Sequence, residues 1–208
     1  METYVTKDNL KFAAETIING GLVGVPTETV YGLAADGLNE SAVREIYEVK
    51  GRPETKPISL LVGGMADVEK FCKDIPESAY ILAEKFWPGP MTMILNKKDN
   101  VPDIVTAGGN TVGVRCPAHE ATLEIIRLAG RPLATPSANI SDQPSPKDVE
   151  GVLAYFEGKI PCVVDGGKCT VGIESTILLM TVNPPKVLRM GGLLPEKIKE
   201  ETGIEVTL

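Results

Sequence analysis

A single histidine, His119, is all this chain has for imidazole chemistry, and its four cysteines (Cys72, Cys116, Cys162, Cys169) form no CxxC pair. The usual ligand spacing of a zinc site is therefore missing, as is any two-histidine metalloprotease motif, and no metal site is expected. His119 follows Pro117 at the start of a helical pattern over 119–129, which assigns it to a helix end rather than to catalysis. The scattered thiols read as buried ones. No apolar run approaches the ~20 residues needed to cross a bilayer. The opening METYVTKDNLKFAAE is amphipathic and lacks a signal peptide's apolar stretch, so a cytoplasmic protein is expected. Basic side chains are outnumbered, 21 against 28 acidic, for a formal charge of −7. That balance argues against a chain whose main task is to coat phosphate backbones, and leaves room only for a local basic pocket.

What is present is a chain of 208 residues, 43% hydrophobic, with no linker, repeat or low-complexity stretch; one domain is expected. Leu10, Ala13, Ala14, Ile17 and Ile18 recur at helical spacing, with Asp8 as the expected cap and Gly20-Gly21 as the stop. A buried strand over Leu22–Val25 runs into PTETVYG, and Asn39 caps a second helix that ends at KGRP. Further strands are expected at Ile58–Val62, Met91–Leu95, Thr111–Val114, Leu133–Ala134, Cys162–Asp165, Thr176–Met180 and Val187–Met190. Helices are expected over about 66–73, 77–87, 119–129, 146–156 and 195–202, the fourth opened by Ser145-Pro146. Some strands lie too close in sequence for helical crossovers, which predicts an α/β domain with a mixed sheet.

Nucleotide signatures are missing too: there is no GxxxxGK[ST] and no GxGxxG after a strand, and GGKCT (166–170) has cysteine where a P-loop needs a hydroxyl. Three polar regions stand out instead. KGRPETKP places Lys50, Arg52 and Lys56 at a helix C-terminus, where complementing the helix dipole and binding an anion explain the charges equally well. Gly51 and Pro53 tip the balance towards a turn that converges the cations on one anion. ATPSANISDQPSP, with Thr135, Ser137, Asn139, Ser141 and Ser145, has on its own the composition of an ordinary turn. Arg115 and Arg189 each end a strand beside glycine or proline; such arginines often only snorkel to the surface, but two of them facing loops of small residues suggest anion forks. This inventory has cations, a fork and hydroxyls but no nucleophile with a base. It suits catalysis by positioning and charge stabilisation, as in phosphoryl and nucleotidyl transfer.

The wording of the loops resembles the YrdC-like family: GVPTETVYGLAAD, KGRPETKPISLLV, WPGPMTMIL, TVGVRCPAH, ATPSANISDQPSP, GIESTIL and VLRMGG occur in that family's order over roughly residues 7–195. Its KxR and SxN hallmarks match Lys50, Arg52, Ser137 and Asn139. The resemblance implies a single twisted α/β domain with helices around a concave central cavity, in which L-threonine and bicarbonate or CO2 form a carbamate that ATP adenylates. The product, threonylcarbamoyl-AMP, would pass to a separate tRNA-modifying complex, with weak or no direct nucleic-acid binding. Carried over by position, Arg52, Lys56, Thr111, Ser137, Ser145 and Arg189 are expected to contact ATP, with Lys50 and Asn139 completing the ring, and Lys50, Arg52 and Lys56 are the expected catalytic set. Thr29, Arg115, Thr135 and Ser175 are expected on L-threonine. Mg2+ would be carried by the triphosphate. Two departures mark the chain: Leu61 where longer relatives have a histidine, and Ser141-Asp142 where many read SG. The longer form's linker and second domain are not expected within the 208 residues. A YciO-type paralogue and an RNA-binding module using the same cavity are the alternatives.

Overall fold

Residues 2–208 are described in the computed structural model of the chain. Among them the elements run β1 (Tyr4–Thr6), α1 (Leu10–Ile18), β2 (Val23–Val25), β3 (Gly32–Asp36), α2 (Glu40–Lys50), β4 (Leu60–Leu61), α3 (Met65–Phe71), β5 (Cys72–Lys73), α4 (Glu77–Phe86), β6 (Met91–Lys97), β7 (Thr111–Arg115), α5 (Glu120–Ala129), β8 (Leu133–Ala134), α6 (Val149–Phe156), β9 (Cys162–Val164), β10 (Thr176–Leu179), β11 (Lys186–Arg189) and α7 (Pro195–Thr202). The strands make one open sheet in the order β1-β9-β2-β3-β8-β4-β7-β6-β10-β11, with β5 paired to β6. Pairing is parallel for β1 with β9, β2 with β9, β4 with β7 and β6 with β10, and antiparallel elsewhere, so the expected mixed α/β sheet is met.

Alternation across the strands divides the apolar residues between two cores. Leu33 and Ala35 of β3 enter one core and Ala34 the other; in β9, Val163 joins the first while Cys162 and Val164 join the second. Ile46 of α2, Leu82 of α4 and Phe156 of α6 cover the first face, and Ala13 and Ile17 of α1 with Ile125 of α5 cover the second. A sheet covered on both faces lacks the polar alternation that marks a half-exposed strand. This is why β3 was not expected: GLAAD is poor in β-branched and aromatic residues and is buried throughout.

Other boundaries differ for local reasons. Asn9, not Asp8, caps α1 by accepting from the Phe12 amide. Helix α6 begins after Asp148, whose carboxylate takes the Gly151 amide, so Ser145 and Pro146 stay in the loop and free for other work. The expected helix over 66–73 stops at Phe71, because Cys72 and Lys73 pair with Lys97 and Asn96 as β5. Within the amphipathic N-terminal stretch, Tyr4–Thr6 pair with β9 as edge strand β1. Cys72, Cys116 and Cys162 are buried as expected, whereas Cys169 is only partly so. Burial pushes the Cys116 and Cys162 thiols up to about 11 and Cys72 to about 12, which leaves them protonated and inert near neutrality. No helix among the described residues is long and apolar enough to cross a membrane.

Candidate active site

The link from β2 to β3, the loop after α2, the C-terminal end of β7, the loop after β8 and the segments flanking β10 and β11 meet around one cavity of about 220 Å³. Its wall is rich in cations for so acidic a chain: Arg52, Arg115 and Arg189 all line it, as do the hydroxyls of Thr29, Thr135, Ser137 and Ser175. Five of the expected residues, Lys50, Lys56, Thr111, Asn139 and Ser145, do not form its wall.

Lys50 shows why. In α2 the buried positions are Ala42, Val43, Ile46, Tyr47 and Lys50, so helical spacing turns the lysine inward with the apolar stripe. Its ammonium group, 1% exposed, donates to Ser137 O at 2.5 Å and to Asn139 O. A third bond, from the Ser141 amide to Lys50 O at 2.9 Å, ties the two loops together. Burial, helped by the neighbouring Arg52 charge, pushes the ammonium down to about 7. Asn139 has a similar structural duty: its amide nitrogen donates to Ile140 O and Gln143 O, both at 2.8 Å, leaving Oδ1 buried without a partner. The KxR and SxN residues thus divide, with Lys50 and Asn139 shaping the loops and Arg52 and Ser137 facing the cavity.

Arg52 follows Gly51, whose φ of 59° is the left-handed turn that ends α2. Its guanidinium is steadied by Lys56 O at 3.2 Å and Pro57 O at 2.9 Å. Lys56 lies outside the wall, half-exposed and 3.2 Å from Asp142. Thr111 stands at the far end of β7 from Arg115, paired with Asn96. Ser145 reaches the wall indirectly, donating at 2.7 Å to Glu174, which does line the cavity. That bond holds the Glu174 carboxyl below its usual range against the opposing effect of burial, so Glu174 is a carboxylate in a cation-rich cavity.

Arg115 is the most constrained of the three arginines. Nε donates to Gly89 O at 3.2 Å, inside the WPGP turn, and Nη2 lies 2.7 Å from Glu28 Oε1 with both side chains nearly buried. Glu28 also takes the Ala118 amide at 3.0 Å on Oε2. Nε is thus hydrogen-bonded to the protein, while Nη2 is held by an ion pair that lacks hydrogen-bond geometry, which leaves Nη1 as the nitrogen without a protein partner. Arg189 turns back on Ser175, donating from Nε and Nη2 to Ser175 O at 3.1 and 2.9 Å and from Nη2 to Ser175 Oγ at 3.1 Å. Burial pushes both Arg52 and Arg189 down from the ordinary arginine value.

Glu28, Thr27, Thr92 and Glu174 escaped the sequence reading. Thr92 meets Ser175 Oγ at 2.8 Å from β6. A usable signal existed for Glu28, the one charge in the largely apolar stretch from Leu22 to Ala35, flanked there by Thr27 and Thr29. None existed for Thr92, which alternation alone places on a strand face. Close packing holds the wall on its other side: a Cβ at Gly191 would lie 2.3 Å from Glu174 O and 2.4 Å from Ser175 C. Backbone atoms cannot swing away, so Gly191→Ala is expected to destabilise the fold by about 1–3 kcal/mol. Urea unfolding with an unchanged midpoint would contradict this.

A family model described as telomere recombination, the Sua5/YciO/YrdC model, matches residues 15–191. Threonylcarbamoyl-AMP synthase of Pyrococcus abyssi is 48% identical over 194 residues, covering 93% of this chain and 57% of the relative. The enzyme of the same name from Bacillus subtilis is 42% identical over 192 residues, 92% of this chain and 56% of its own. The chain thus spans little more than half the length of these relatives. The putative synthase of Methanocaldococcus jannaschii is 38% identical, with 83% of this chain and 80% of the relative covered. Among solved structures, P. abyssi Sua5 complexed with L-threonine superposes with a TM-score of 0.94 at 44% identity, over 99% of this chain and 62% of that one. Escherichia coli YciO has the same fold at 21% identity, with a TM-score of 0.80 over 92% and 95% of the two chains.

Proposed function

Since the chain belongs to the Sua5/YciO/YrdC family, we propose that it makes threonylcarbamoyl-AMP and pyrophosphate from L-threonine, bicarbonate or CO2, and ATP. One observation carries the reading: Arg52, Arg115 and Arg189 converge with the hydroxyls of Thr29, Thr135, Ser137 and Ser175, among others, on a single cavity of a chain that is acidic as a whole. Two anionic ligands are thereby accommodated side by side. The Arg115 Nη1 edge, fixed by Glu28 and Gly89, suits a carboxylate, while Arg52 and Arg189 suit phosphate oxygens. A cavity below the ~300–1,000 Å³ of common ligand pockets holds the amino acid and the reacting phosphate. The rest of the nucleotide would extend past the wall towards Lys56, Thr111 and Ser145.

In this reading the carbamate oxygen attacks the α-phosphorus, the bond to the bridging oxygen breaks, and pyrophosphate leaves. Arg52 and Arg189 stabilise the charge that develops on the phosphates, and Arg115 fixes the direction from which the carbamate approaches. Among the described residues no cluster of carboxylates, thiols and imidazole could hold a metal ion. A wall of hydroxyls with one carboxylate, Glu174, fits a Mg2+ ion that keeps phosphate and water as most of its shell. Such an ion would neutralise the leaving pyrophosphate.

The product would pass in the cytoplasm to a separate tRNA-modifying complex. The net charge of −7 supports weak or no direct RNA binding by the chain itself. Identity of 44% to the threonine-bound structure, against 21% to YciO, supports the synthase reading over the paralogue. The test is direct: the pure chain with ATP, Mg2+, bicarbonate and L-threonine should yield threonylcarbamoyl-AMP and pyrophosphate, and no adenylate without bicarbonate. Arg115→Lys keeps the charge but not the directed N–H edge. It should weaken threonine binding about tenfold and leave ATP affinity nearly unchanged in calorimetric titration; the reverse pattern would assign the carboxylate to Arg189.

A further inference from the structure

In the loop after β8 the Gln143 amide closes a four-residue turn on Ile140 O at 3.0 Å, and the third residue of that turn, Asp142, has a φ of 63°. Glycine or asparagine is the usual occupant of such a left-handed place. The turn is firmly held, since Asn139 donates to both Ile140 O and Gln143 O and the Ser141 amide bonds to Lys50 O. Aspartate gains the backbone nothing there. What it adds is a carboxylate, 3.2 Å from the Lys56 ammonium. Lys56 belongs to the loop that presents Arg52 to the cavity, and its backbone is pinned: Lys56 O accepts from Arg52 Nε at 3.2 Å and from the Tyr47 hydroxyl at 3.0 Å. Only the flexible stem of the side chain is left to move. Both members of the ion pair are exposed, so it is weak and easily exchanged. Burial draws Arg52 below its ordinary value while Tyr47 and Asp142 act the other way, so the same carboxylate is felt by both cations of the loop.

We propose that Asp142 sets the affinity for the nucleotide by competing with it for Lys56, holding the ammonium at the rim until phosphate draws it away. The proposal rests on the reading that the cavity takes ATP, with the rest of the nucleotide passing the wall towards Lys56. An ammonium shared between the carboxylate and a phosphate would hold anion against anion, so the nucleotide gains Lys56 only by taking it from Asp142. The chain therefore binds ATP more weakly than its cations permit. By the same contact Asp142 takes Lys56 back when pyrophosphate leaves.

The experiment is calorimetric titration of ATP, with Mg2+ in excess, into the wild type, Asp142→Asn and Asp142→Gly. Asparagine and glycine suit the turn at least as well as aspartate, so both variants should fold with thermal midpoints no lower than that of the wild type. At low salt each should bind ATP roughly fivefold more tightly. The gain should fade at about 1 M salt, where charges are screened beyond about 3 Å. Pyrophosphate should tighten by the same factor in its own titration, with L-threonine affinity unmoved. Lys56→Ala supplies the decisive comparison: in the wild-type background it should weaken ATP binding less than about twofold, and in the Asp142→Asn background roughly fivefold. Unchanged ATP affinity in a folded Asp142→Asn overturns the proposal. So does an equal gain with and without Lys56, which would be plain repulsion between carboxylate and phosphate. A wild-type chain that binds no ATP would overturn the functional reading itself, and ATP binding by the wild type separates the two failures.

Discussion

Arg52→Ala should lower adenylate formation by roughly 10²–10³-fold, the usual loss when one donor is removed from a site of developing charge. The fold should survive, because the contacts of this guanidinium with Lys56 O and Pro57 O lie in an exposed loop and bridge no other element. The αL turn at Gly51 persists without the side chain. Lys56→Ala is the informative control. Its ammonium is half-exposed and paired with Asp142, an arrangement worth ~0–1 kcal/mol, so its loss should be far milder. Pyrophosphate release and thermal midpoints measured side by side check both. Equal losses in the two variants would place the phosphates at the rim beside Asp142 rather than against the wall.

Lys50→Met should do the opposite, damaging the fold and the activity together. Methionine fills the inward position on α2 but leaves Ser137 O and Asn139 O without their shared donor, at ~1–3 kcal/mol for each buried group left unpaired. The loop that presents Ser137 then loses its anchor, and turnover should fall even at temperatures where the variant is folded. A pH signature accompanies this. The Lys50 ammonium sits at about 7 in the fold, against ~10.4 when unfolded. Between those values the unfolded chain binds the extra proton, so Lys50 adds stability as pH climbs. The rise should show between about pH 7 and 8, before the thiols of the unfolded chain, with a pKa near ~8.5 there and about 11–12 in the fold, begin to pull the other way. Denaturant unfolding at stepped pH should show that rise in the wild type and lose it in Lys50→Met. An identical slope in both proteins would mean that Lys50 keeps its ordinary basicity through the two carbonyls that accept from it.

The sequence by itself determined the α/β class and most of the elements, because caps, glycine stops and apolar spacing act over a few residues. Asn39 and Gly51 bracket α2 by hydrogen bonds within one turn of the chain, and both were readable as letters. It also brought Arg52, Arg115 and Arg189 under suspicion, since a cation beside glycine or proline at the end of an element is a local pattern, whereas Ser137 stood out only through the resemblance of its loop to the family's SxN. Even the inward face of Lys50 was present in the spacing from Val43 and Ile46, although charge drew attention away from it. Tertiary structure alone decided the rest. β3 is a strand only because β2 and β8 flank it and both of its faces are covered. Glu28 becomes a partner of Arg115, 87 positions further along the chain, through the meeting of the β2–β3 link with the end of β7. The Lys50 hydrogens go to Ser137 O and Asn139 O, acceptors 87 and 89 positions along the chain that only packing brings to the end of α2. Letters state which groups can donate and accept; only the packed chain distributes a limited number of protons among them.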